Sequence, residues 1–566
     1  MSSVAVPGKG IQFTPVFLFN EMPPSGWLPM RIDIENSTDR GQSWNIEFIQ
    51  SAMFETSVTS LYRCSVAVGE GASRSFNIWV PISGLRTKNT SNRQINMKVT
   101  GYAMPEGDIH VPVGHSQHNG TAYVGMSASL GTSKWAALPP ALKSSTTAAR
   151  DPVLHPLRSP HPVGAITGTV VDATDLPPDI RSFAGLAAYW LRDTELSALS
   201  APHRAALARW VIEGGHLHIA AEKSAPASVS GLPALEGLDR TSRSGFGSVT
   251  VEPLELGELS VGPAAARILS LDSKPSPAWS ADYEKGWRAK ESLGWPAMNV
   301  PLLIGFVFLF AIVIGPVNLL LLAPSLRRHR LFITVPLLSA GASILLFVII
   351  LTGDGVGGAG HRSVLAYIAA GSTSITAMQE QAVRTRLLFA RNFSLPEDAR
   401  ISMIMPERYK QKISVERSAK VLSMDWFRSR TLQAHHIVAT TPSRAEVVLV
   451  SGPGQPPVLL SSVPGTLHYV HYYAEDGACW TVKAVNTGQP AKLEPISVEA
   501  YHEWLHSHDY DLSSNFQALW KEAGYRPGHF YARSGGLPGA PVATLPSITW
   551  EMETVLCFGP CGPLKP

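Results

Sequence analysis

The sequence has few charged residues. They make up 16% of the 566 residues, against about 25% in soluble globular chains, and the formal net charge is +3. Blocks of five or more like charges are absent, so neither composition nor charge patterning favours nucleic-acid binding, and we expect no nucleic-acid partner. Hydrophobic residues make up 45%, which is enough apolar material for the cores of several domains.

Cysteine is also scarce, with only Cys64, Cys479, Cys557 and Cys561. Four cysteines in a chain of this length exclude a scaffold built on disulfides. Cys557 and Cys561 could pair locally in an oxidising compartment, but two thiols without a nearby histidine make a poor zinc site. We expect no role for this pair and no cofactor, and the sequence leaves open whether the pair is oxidised.

The first residues, MSSVAVPGKGIQFTPVFLFN, lack a signal peptide. They have no basic region followed by an apolar run and a small-residue cleavage site. The topology deduced below requires export, and the sequence leaves open whether a signal peptide lies upstream of Met1.

Long apolar runs are what the sequence does have. The segments 297–326 and 331–353 carry no charged residue, and each is long enough to cross a bilayer core of about 30 Å as a helix. We predict transmembrane helices at Val300–Leu322 and Leu331–Leu351, with the lipid bilayer as a partner. A buried soluble hairpin is the less favoured reading, because soluble helices keep a polar face.

Three residues in the first predicted span, Gly315, Pro316 and Asn318, are unusual for a regular apolar helix. Gly315-Pro316 should kink the helix, because proline removes a backbone hydrogen bond. Asn318 is expected to hydrogen-bond the second helix rather than to line a transport path. Two spans without a buried acid or base do not favour a transporter.

Arg327, Arg328 and Arg330 crowd the turn between the spans. Positive residues stay on the cytoplasmic side, so the turn should lie inside the cell and both flanking regions outside it. These arginines, with Gly315, Pro316 and Asn318, form the predicted membrane anchor.

The rest of the chain divides by pattern. Apolar–polar alternation around Ile32 and Ile46, separated by the polar turn at 36–41, predicts a β-hairpin in an immunoglobulin-like sandwich. Farther on, Ser200 as N-cap and Gly214-Gly215 as terminator bound a helix that leads into a strand, which indicates a parallel α/β unit. The predicted divisions are a β-sandwich at 11–128, a Pro/Ser-rich linker at 129–163, an α/β domain at 164–280, the two helices, a β-rich extracytoplasmic domain at 361–490, and a C-terminal helix and tail at 491–566.

Three stretches carry a resemblance to a known family: LPPDIRSFAGLAAYWL, LSAPHRAALARWVIEGGHLHIA and IGPVNLLLLAPSLRRHRLFITVPLLS. They resemble the class I glutamine amidotransferase-like domain of flavodoxin-like fold, in the degenerate form found in uncharacterised bacterial membrane proteins. The resemblance covers roughly residues 20–440. In that family a β-sandwich precedes this domain and transmembrane helices follow. Together with the strand patterns after residue 360, this predicts a multidomain α+β membrane protein with an N-terminal β-sandwich, a flavodoxin-like domain, a transmembrane hairpin and a C-terminal β-rich domain. The implied location is the bacterial inner membrane, with no settled activity.

The catalytic residue of that family is missing. Amidotransferase chemistry needs an activated cysteine on a strand–helix turn, and no cysteine lies between Cys64 and Cys479. His203, His216 and His218 therefore have no nucleophile to serve, and we predict a pseudoenzyme. His216 and His218 alternate with Leu217 and Ile219, so both histidines lie on the same face of a strand. We favour an ordinary polar strand face there over a pair of metal ligands.

The sharpest catalytic motif is HEWLH, His502 to His506. Two histidines one helical turn apart can hold zinc, with Glu503 as general base. The flanking Glu499 and His508 are atypical of zinc peptidases, and Glu522 is a poor third ligand. We favour a chance match on a helix, and keep His502, Glu503 and His506 as weak metal candidates.

Two other motifs favour structure over function. The glycines of GDGVGGAG, at 353–360, follow a membrane helix and predict a flexible exit linker rather than a nucleotide fingerprint. Asp425, Trp426, Arg428 and Arg430 could form a recognition patch, but a packed tryptophan beside an ion pair is favoured.

Three functions remain open. The favoured one is a non-catalytic membrane-anchored protein of the cell envelope that binds a protein or glycan partner outside the cytoplasm. The alternatives are a zinc metallohydrolase that uses His502, Glu503 and His506, and an accessory subunit of a membrane transport or secretion assembly.

Overall fold

A computed structural model describes residues 4–6, 10–19, 22–23, 25–52, 58–82, 93–102, 123–130, 167–221, 240–253, 288–294, 300–404, 412–450, 455–508 and 511–563. These residues confirm a sheet-rich α+β chain with two long apolar helices.

The N-terminal strands form a β-sandwich. They are β1 (Val4–Val6), β2 (Ile11–Phe17), β3 (Gly26–Asn36), β4 (Gln42–Ala52), β5 (Val58–Val68), β6 (Ser73–Ile82) and β7 (Arg93–Gly101). One sheet has the order β1-β2-β3-β6, and the other contains β5-β4-β7. Phe13 and Trp44 meet across the sandwich with ring centroids 5.3 Å apart, inside a core that both sheets share. Apolar alternation along each strand produces this core, because alternate side chains point to the same face.

The predicted hairpin at residues 36–41 is wrong in its pairing. Strands β3 and β4 exist, but they belong to different sheets, so the turn crosses the sandwich. The fully buried Asn36 holds this crossing, because its amide nitrogen donates to the carbonyl oxygens of Arg40 and Gly69, each at 2.9 Å. Alternation predicts a strand but does not identify its neighbour.

A mixed, mainly parallel sheet follows. Its elements are β8 (Tyr123–Met126), β9 (Thr167–Val170), a 3₁₀ turn (Ile180–Ser182), β10 (Ala188–Arg192), helices Asp193–Ala198 and Ala201–Ile212, β11 (His216–Ala221), β12 (Arg240–Ser244) and β13 (Gly247–Pro253). The strand order is β12-β13-β11-β10-β8-β9, and only the β12–β13 pair is antiparallel. The helix predicted between Ser200 and Gly214 is present, and it ends where Gly214 takes a φ of 113°.

The predicted start of this α/β region was wrong. Tyr123–Met126 fell inside the predicted sandwich at 11–128, yet it pairs in parallel with both β9 and β10. A four-residue buried strand is too short for its sequence to reveal which sheet it joins. Most of the predicted linker at 129–163 lies outside the described residues.

Two apolar helical segments follow, and each is long enough to cross a membrane. The elements are helices Arg288–Glu291 and Val300–Ile312, a π-helix Val313–Leu322, a 3₁₀ turn Ser325–Arg330 and helix Leu331–Asp354. The two candidate spans have 23 residues each, and neither is buried inside the protein. Pro316 lies in the π-helical stretch, where wider hydrogen bonding accommodates the missing N–H and the bulk of the ring.

Asn318 does not hydrogen-bond the second helix, so that prediction was wrong. Its side chain is fully buried, and neither the amide nitrogen nor the amide oxygen has a partner among the described residues. Its main-chain carbonyl accepts from the N–H of Ala323 at 2.8 Å, which closes the last π-helical turn.

The region after the helices contains one large sheet and further strands that lie outside it. Its strands are β14 (Gly358–Ile368), β15 (Ser374–Thr385), β16 (Phe393–Ser394), β17 (Arg400–Ile404), β18 (Ile413–Ser418), β19 (Val421–Met424), β20 (Leu432–Pro442), β21 (Val447–Leu449), β22 (Val458–Ser461), β23 (Thr466–Tyr473), β24 (Cys479–Asn486), β25 (Ala491–Lys492), β26 (Glu494–Ile496), β27 (His529–Ser534), β28 (Ile548–Pro560) and β29 (Gly562–Pro563). Its helices are Val498–His506 and Ser514–Ala523. Nine strands take the order β17-β20-β15-β14-β28-β27-β23-β24-β26, and β25-β22-β21-β29 form a small separate sheet.

Two features of this region differ from prediction. The expected C-terminal tail contains β28, which lies at the centre of the nine-stranded sheet between β14 and β27. The expected flexible linker at 353–360 leads directly into β14, and Gly357 is so close to the Ser547 carbonyl that a Cβ would lie 2.2 Å from it.

Both C-terminal thiols are free. Cys557 is inside β28, and Cys561 follows that strand by one residue. Four residues of extended chain span about 13 Å, which is too far for a disulfide.

The sandwich and the region after the helices are joined through a shared sheet. Strand β18 pairs in parallel with β5, which gives the order β16-β19-β18-β5-β4-β7. The predicted β-rich domain at 361–490 is therefore not an independent unit, because part of it completes the N-terminal sandwich.

Candidate functional site

HEWLH lies on a helix, as its spacing predicts. The Ser497 hydroxyl caps Val498–His506 by accepting from the Ala500 N–H at 3.2 Å. Tyr501 and Leu505 are fully buried and attach the helix to the core. The helix is therefore held by its apolar face.

The motif's polar side chains point away from that core. Glu503 and His506 are exposed, and His502 is half-buried with its ring edge-on to Tyr525 at 5.2 Å. Glu522, the candidate third zinc ligand from the sequence, is ion-paired with Arg243. Among the described residues, no three His, Cys, Asp or Glu side chains are grouped so that they could hold a metal ion. The described part of the chain thus provides a helix turn with two histidines and no third ligand.

His216 and His218 share a strand face that is largely buried. The His218 ring stacks on Trp190 at 4.1 Å, and His216 Nδ1 is 2.9 Å from the Ser248 hydroxyl oxygen. Burial, then the nearby His218 and Arg243 charges, lower the pKa of His216 to about 4. Both histidines thus pack within the α/β sheet.

The segment around Trp426 contains the ion pair and the packed tryptophan that its sequence favours. Asp425 and Arg428 are 3.9 Å apart, and the buried Trp426 indole donates to the Glu416 carbonyl at 3.2 Å. Trp426 also lines the cavity described next.

A cavity of about 50 Å³ lies where the sandwich meets the edge of the nine-stranded sheet. The sandwich contributes Trp27 and the end of β6, and the later region contributes β17, β18 and β20. Half-buried rim residues, among them Ser25 and Ser402, connect the cavity to the surface. By volume it holds a few water molecules or one small ligand group.

Arg417 is the most unusual residue in the cavity wall. Its guanidinium donates to main-chain carbonyls, including those of Ala399 at 2.9 Å and Glu397 at 2.6 Å, and stacks over Trp27 at 4.6 Å. No hydrogen bond from Arg417 to a carboxylate exists in the described part of the chain. Burial lowers the pKa of this guanidinium to about 10. Among the described residues this buried charge has no counter-ion in direct contact, an arrangement that is costly unless something compensates it.

Arg400 brings a second guanidinium to the cavity. It donates to the Glu213 main-chain oxygen at 2.9 Å and lies 3.5 Å from the Glu213 carboxylate. Glu213 also pairs with Arg209, which in turn pairs with Asp398. The Arg400 charge is thus balanced through a network that ties the α/β region to β17.

Two buried ring nitrogens in the cavity wall lack a hydrogen-bond partner among the described residues. Trp27 is 2% exposed and His436 is 3% exposed. Neither Trp27 Nε1 nor His436 Nε2 forms a hydrogen bond with any described residue. Burial, then the Arg400 charge, lower the pKa of His436 to about 3, so its imidazole is neutral at physiological pH.

Sequence reasoning missed this cavity. The contiguous pair His435-His436 in an apolar strand was a usable signal, since buried histidines need partners. No local pattern relates Trp27 to Arg417, because 390 positions of chain separate them.

Comparison with protein-family models gives no match, and comparison with curated proteins gives none. Among solved structures, a calcium-binding mutant of Bacteroides uniformis beta-glucuronidase 2 aligns at 7% identity over 38% of this chain and 24% of that chain, with a TM-score of 0.14. The chain thus spans about a quarter of that structure. The yeast delta-COP-I mu-homology domain complexed with a Dsl1 WxWxV peptide aligns at 7% identity over 36% of this chain and 95% of that chain, with a TM-score of 0.15. A Paenibacillus sp. cycloisomaltooligosaccharide glucanotransferase complexed with cycloisomaltoheptaose aligns at 8% identity over 75% and 69%, with a TM-score of 0.16. Scores this low carry no argument about fold or function.

Proposed function

We propose that the chain is a non-catalytic, two-span membrane protein of the bacterial cell envelope, whose body binds a protein or glycan partner outside the cytoplasm. The observation that carries this proposal is the pairing of β18 with β5 across the apolar helices. Strands before and after the two helices share one sheet, so the regions that they belong to occupy the same side of any membrane the helices cross.

The exposed helices support the anchoring part of the proposal. Neither span is buried against the soluble body, and side chains such as Phe332, at 85% exposed, face outward. Apolar surface of this extent is stable in lipid and unstable in water. Two helices that pack against each other and expose their outer apolar faces are suited to anchoring the chain in a membrane.

The positive charge of the turn between the two helices supports the proposed orientation. Arg327, Arg328 and Arg330 are exposed in the short connection between the helices. Positive residues in short connections are retained in the cytoplasm. The body then lies outside the cytoplasm.

The α/β region supports a binding role over turnover. If its strands are counted from β8, the order runs 2-1-3-4, with β13 next, which agrees with the flavodoxin-like arrangement. This strand order is compatible with the resemblance to amidotransferase-like domains. The proposal also includes an immunoglobulin-like fold for the N-terminal sandwich. Every cysteine of the chain falls outside this sheet, so the nucleophile of the enzymatic family is missing.

Reporter fusions test the orientation. Alkaline phosphatase is active only outside the cytoplasm, and green fluorescent protein folds well inside it. We expect fusions after Ala323 to fluoresce and fusions after Pro566 to show phosphatase activity. A fluorescent C-terminal fusion with an inactive phosphatase partner would contradict the proposal.

A further inference from the structure

We propose that the cavity between the sandwich and the nine-stranded sheet binds the carboxylate of a small organic acid. This inference is independent of the membrane orientation, because the cavity is formed within the body itself.

The first argument is the unfilled hydrogen-bonding capacity of the wall. Trp27 Nε1 is a donor only, and His436 Nε2 can donate in one neutral tautomer. Both nitrogens are buried and have no partner among the described residues. Leaving a buried donor unpaired is costly, so a partner in the cavity is favoured. Because both residues line the cavity, we infer that a ligand bound there supplies the missing acceptors.

The second argument is the charge of the wall. Arg417 is bonded only to main-chain carbonyls in the described chain, while Glu416 at the rim is engaged with Arg63 at 2.5 Å. One negative charge in the cavity compensates the Arg417 guanidinium without disturbing an existing ion pair. The wall therefore favours a monovalent anion.

The third argument selects a carboxylate over phosphate. Ile82, Ile401 and Val438 line the same cavity, beside the rings of Trp27 and Trp426. Apolar walls accept a short hydrocarbon tail but would strip water from the several oxygens of a dianion. A volume of about 50 Å³ suits a group the size of acetate or propionate.

Calorimetric titration of the full chain in detergent micelles tests the proposal. The probes are acetate, propionate, inorganic phosphate, and acetamide as an uncharged isostere of acetic acid. We expect saturable binding of acetate or propionate and no binding of acetamide. Equal binding of acetamide, or binding of phosphate alone, would overturn the choice of a carboxylate. Failure of every probe to bind would mean that the cavity holds only water.

Trp27→Phe is the decisive variant, because it removes the indole N–H and keeps the aromatic body. We expect carboxylate affinity to fall about tenfold or more in the folded variant, in which the Phe ring still lies beneath the Arg417 guanidinium. Trp520→Phe is the matched control. Trp520 is also buried with an unpartnered Nε1, but it is not part of the cavity wall.

His436→Leu provides a second test that does not depend on Trp27. It removes the unpartnered nitrogen and should weaken the same ligand, whereas Trp520→Phe should bind it as the natural chain does. Unchanged affinity in both Trp27→Phe and His436→Leu would place the ligand elsewhere.

Discussion

At the scale of single residues, histidine shows how position decides chemistry. His502 and His506 carry the metal-binding spacing, but His502 is only half-buried and His506 is exposed. His435 and His436 carry no motif, yet both are buried in β20, where burial lowers their pKa to about 4 and about 3 respectively. The sequence shows spacing, which made the first pair conspicuous. It does not show burial, which makes the second pair unusual.

His502→Ala tests whether HEWLH binds metal. We expect the purified full chain to contain no stoichiometric zinc that depends on His502, because the helix offers no third ligand in the described structure. Elemental analysis by mass spectrometry measures zinc per chain before and after the substitution. His468→Ala, which changes an exposed histidine on another element, is the control. One zinc per chain that disappears only in His502→Ala would restore the metallohydrolase hypothesis.

At the scale of elements, the sequence predicts helices and individual strands well. The apolar run at 300–322 gives the same bounds as the observed first span, because length and lack of charge are local properties. Strand pairing is different. The alternation in β3 and β4 was visible, but their separation into two sheets depends on Asn36 and on distant neighbours. The cavity between β3 and β18 depends on the same distant pairings, so it could not be predicted.

The Asn318 amide gives a prediction at this scale. A fully buried polar side chain without a partner destabilises its surroundings, so Asn318→Leu should raise the stability of the helical hairpin by about 1–3 kcal/mol. Thermal unfolding of the chain in detergent measures the change. Leu320→Ala, at a side chain 70% exposed, should have little effect. A lower melting temperature in Asn318→Leu would show that the amide forms a hydrogen bond that the hairpin needs.

At the scale of the whole molecule, the parts before and after the apolar helices build one body. Sequence patterns predicted two separate exported regions, because each contains its own strands and turns. Their union rests on the pairing of Ile413–Ser418 with β5 and on contacts such as Arg400 with Glu213. Interactions over such separations leave no periodic signal in the chain. This union also creates the cavity, and it requires both regions to lie on the same side of any membrane that the helices cross.

Disulfide cross-linking of Thr59→Cys with Ser414→Cys tests that union most directly. These residues are register partners on β5 and β18, and neighbouring strands place them about 5 Å apart, within disulfide range. The natural Cys64 should interfere little, because burial raises the pKa of its thiol to about 12.

The measurement is gel mobility of the oxidised protein in native membranes, with and without reductant. We predict one intramolecular disulfide in Thr59→Cys/Ser414→Cys and none in the control Thr59→Cys/Ser423→Cys, whose second site is one strand farther away. No cross-link in the first pair, or cross-links only between chains, would contradict a single body formed from both flanks.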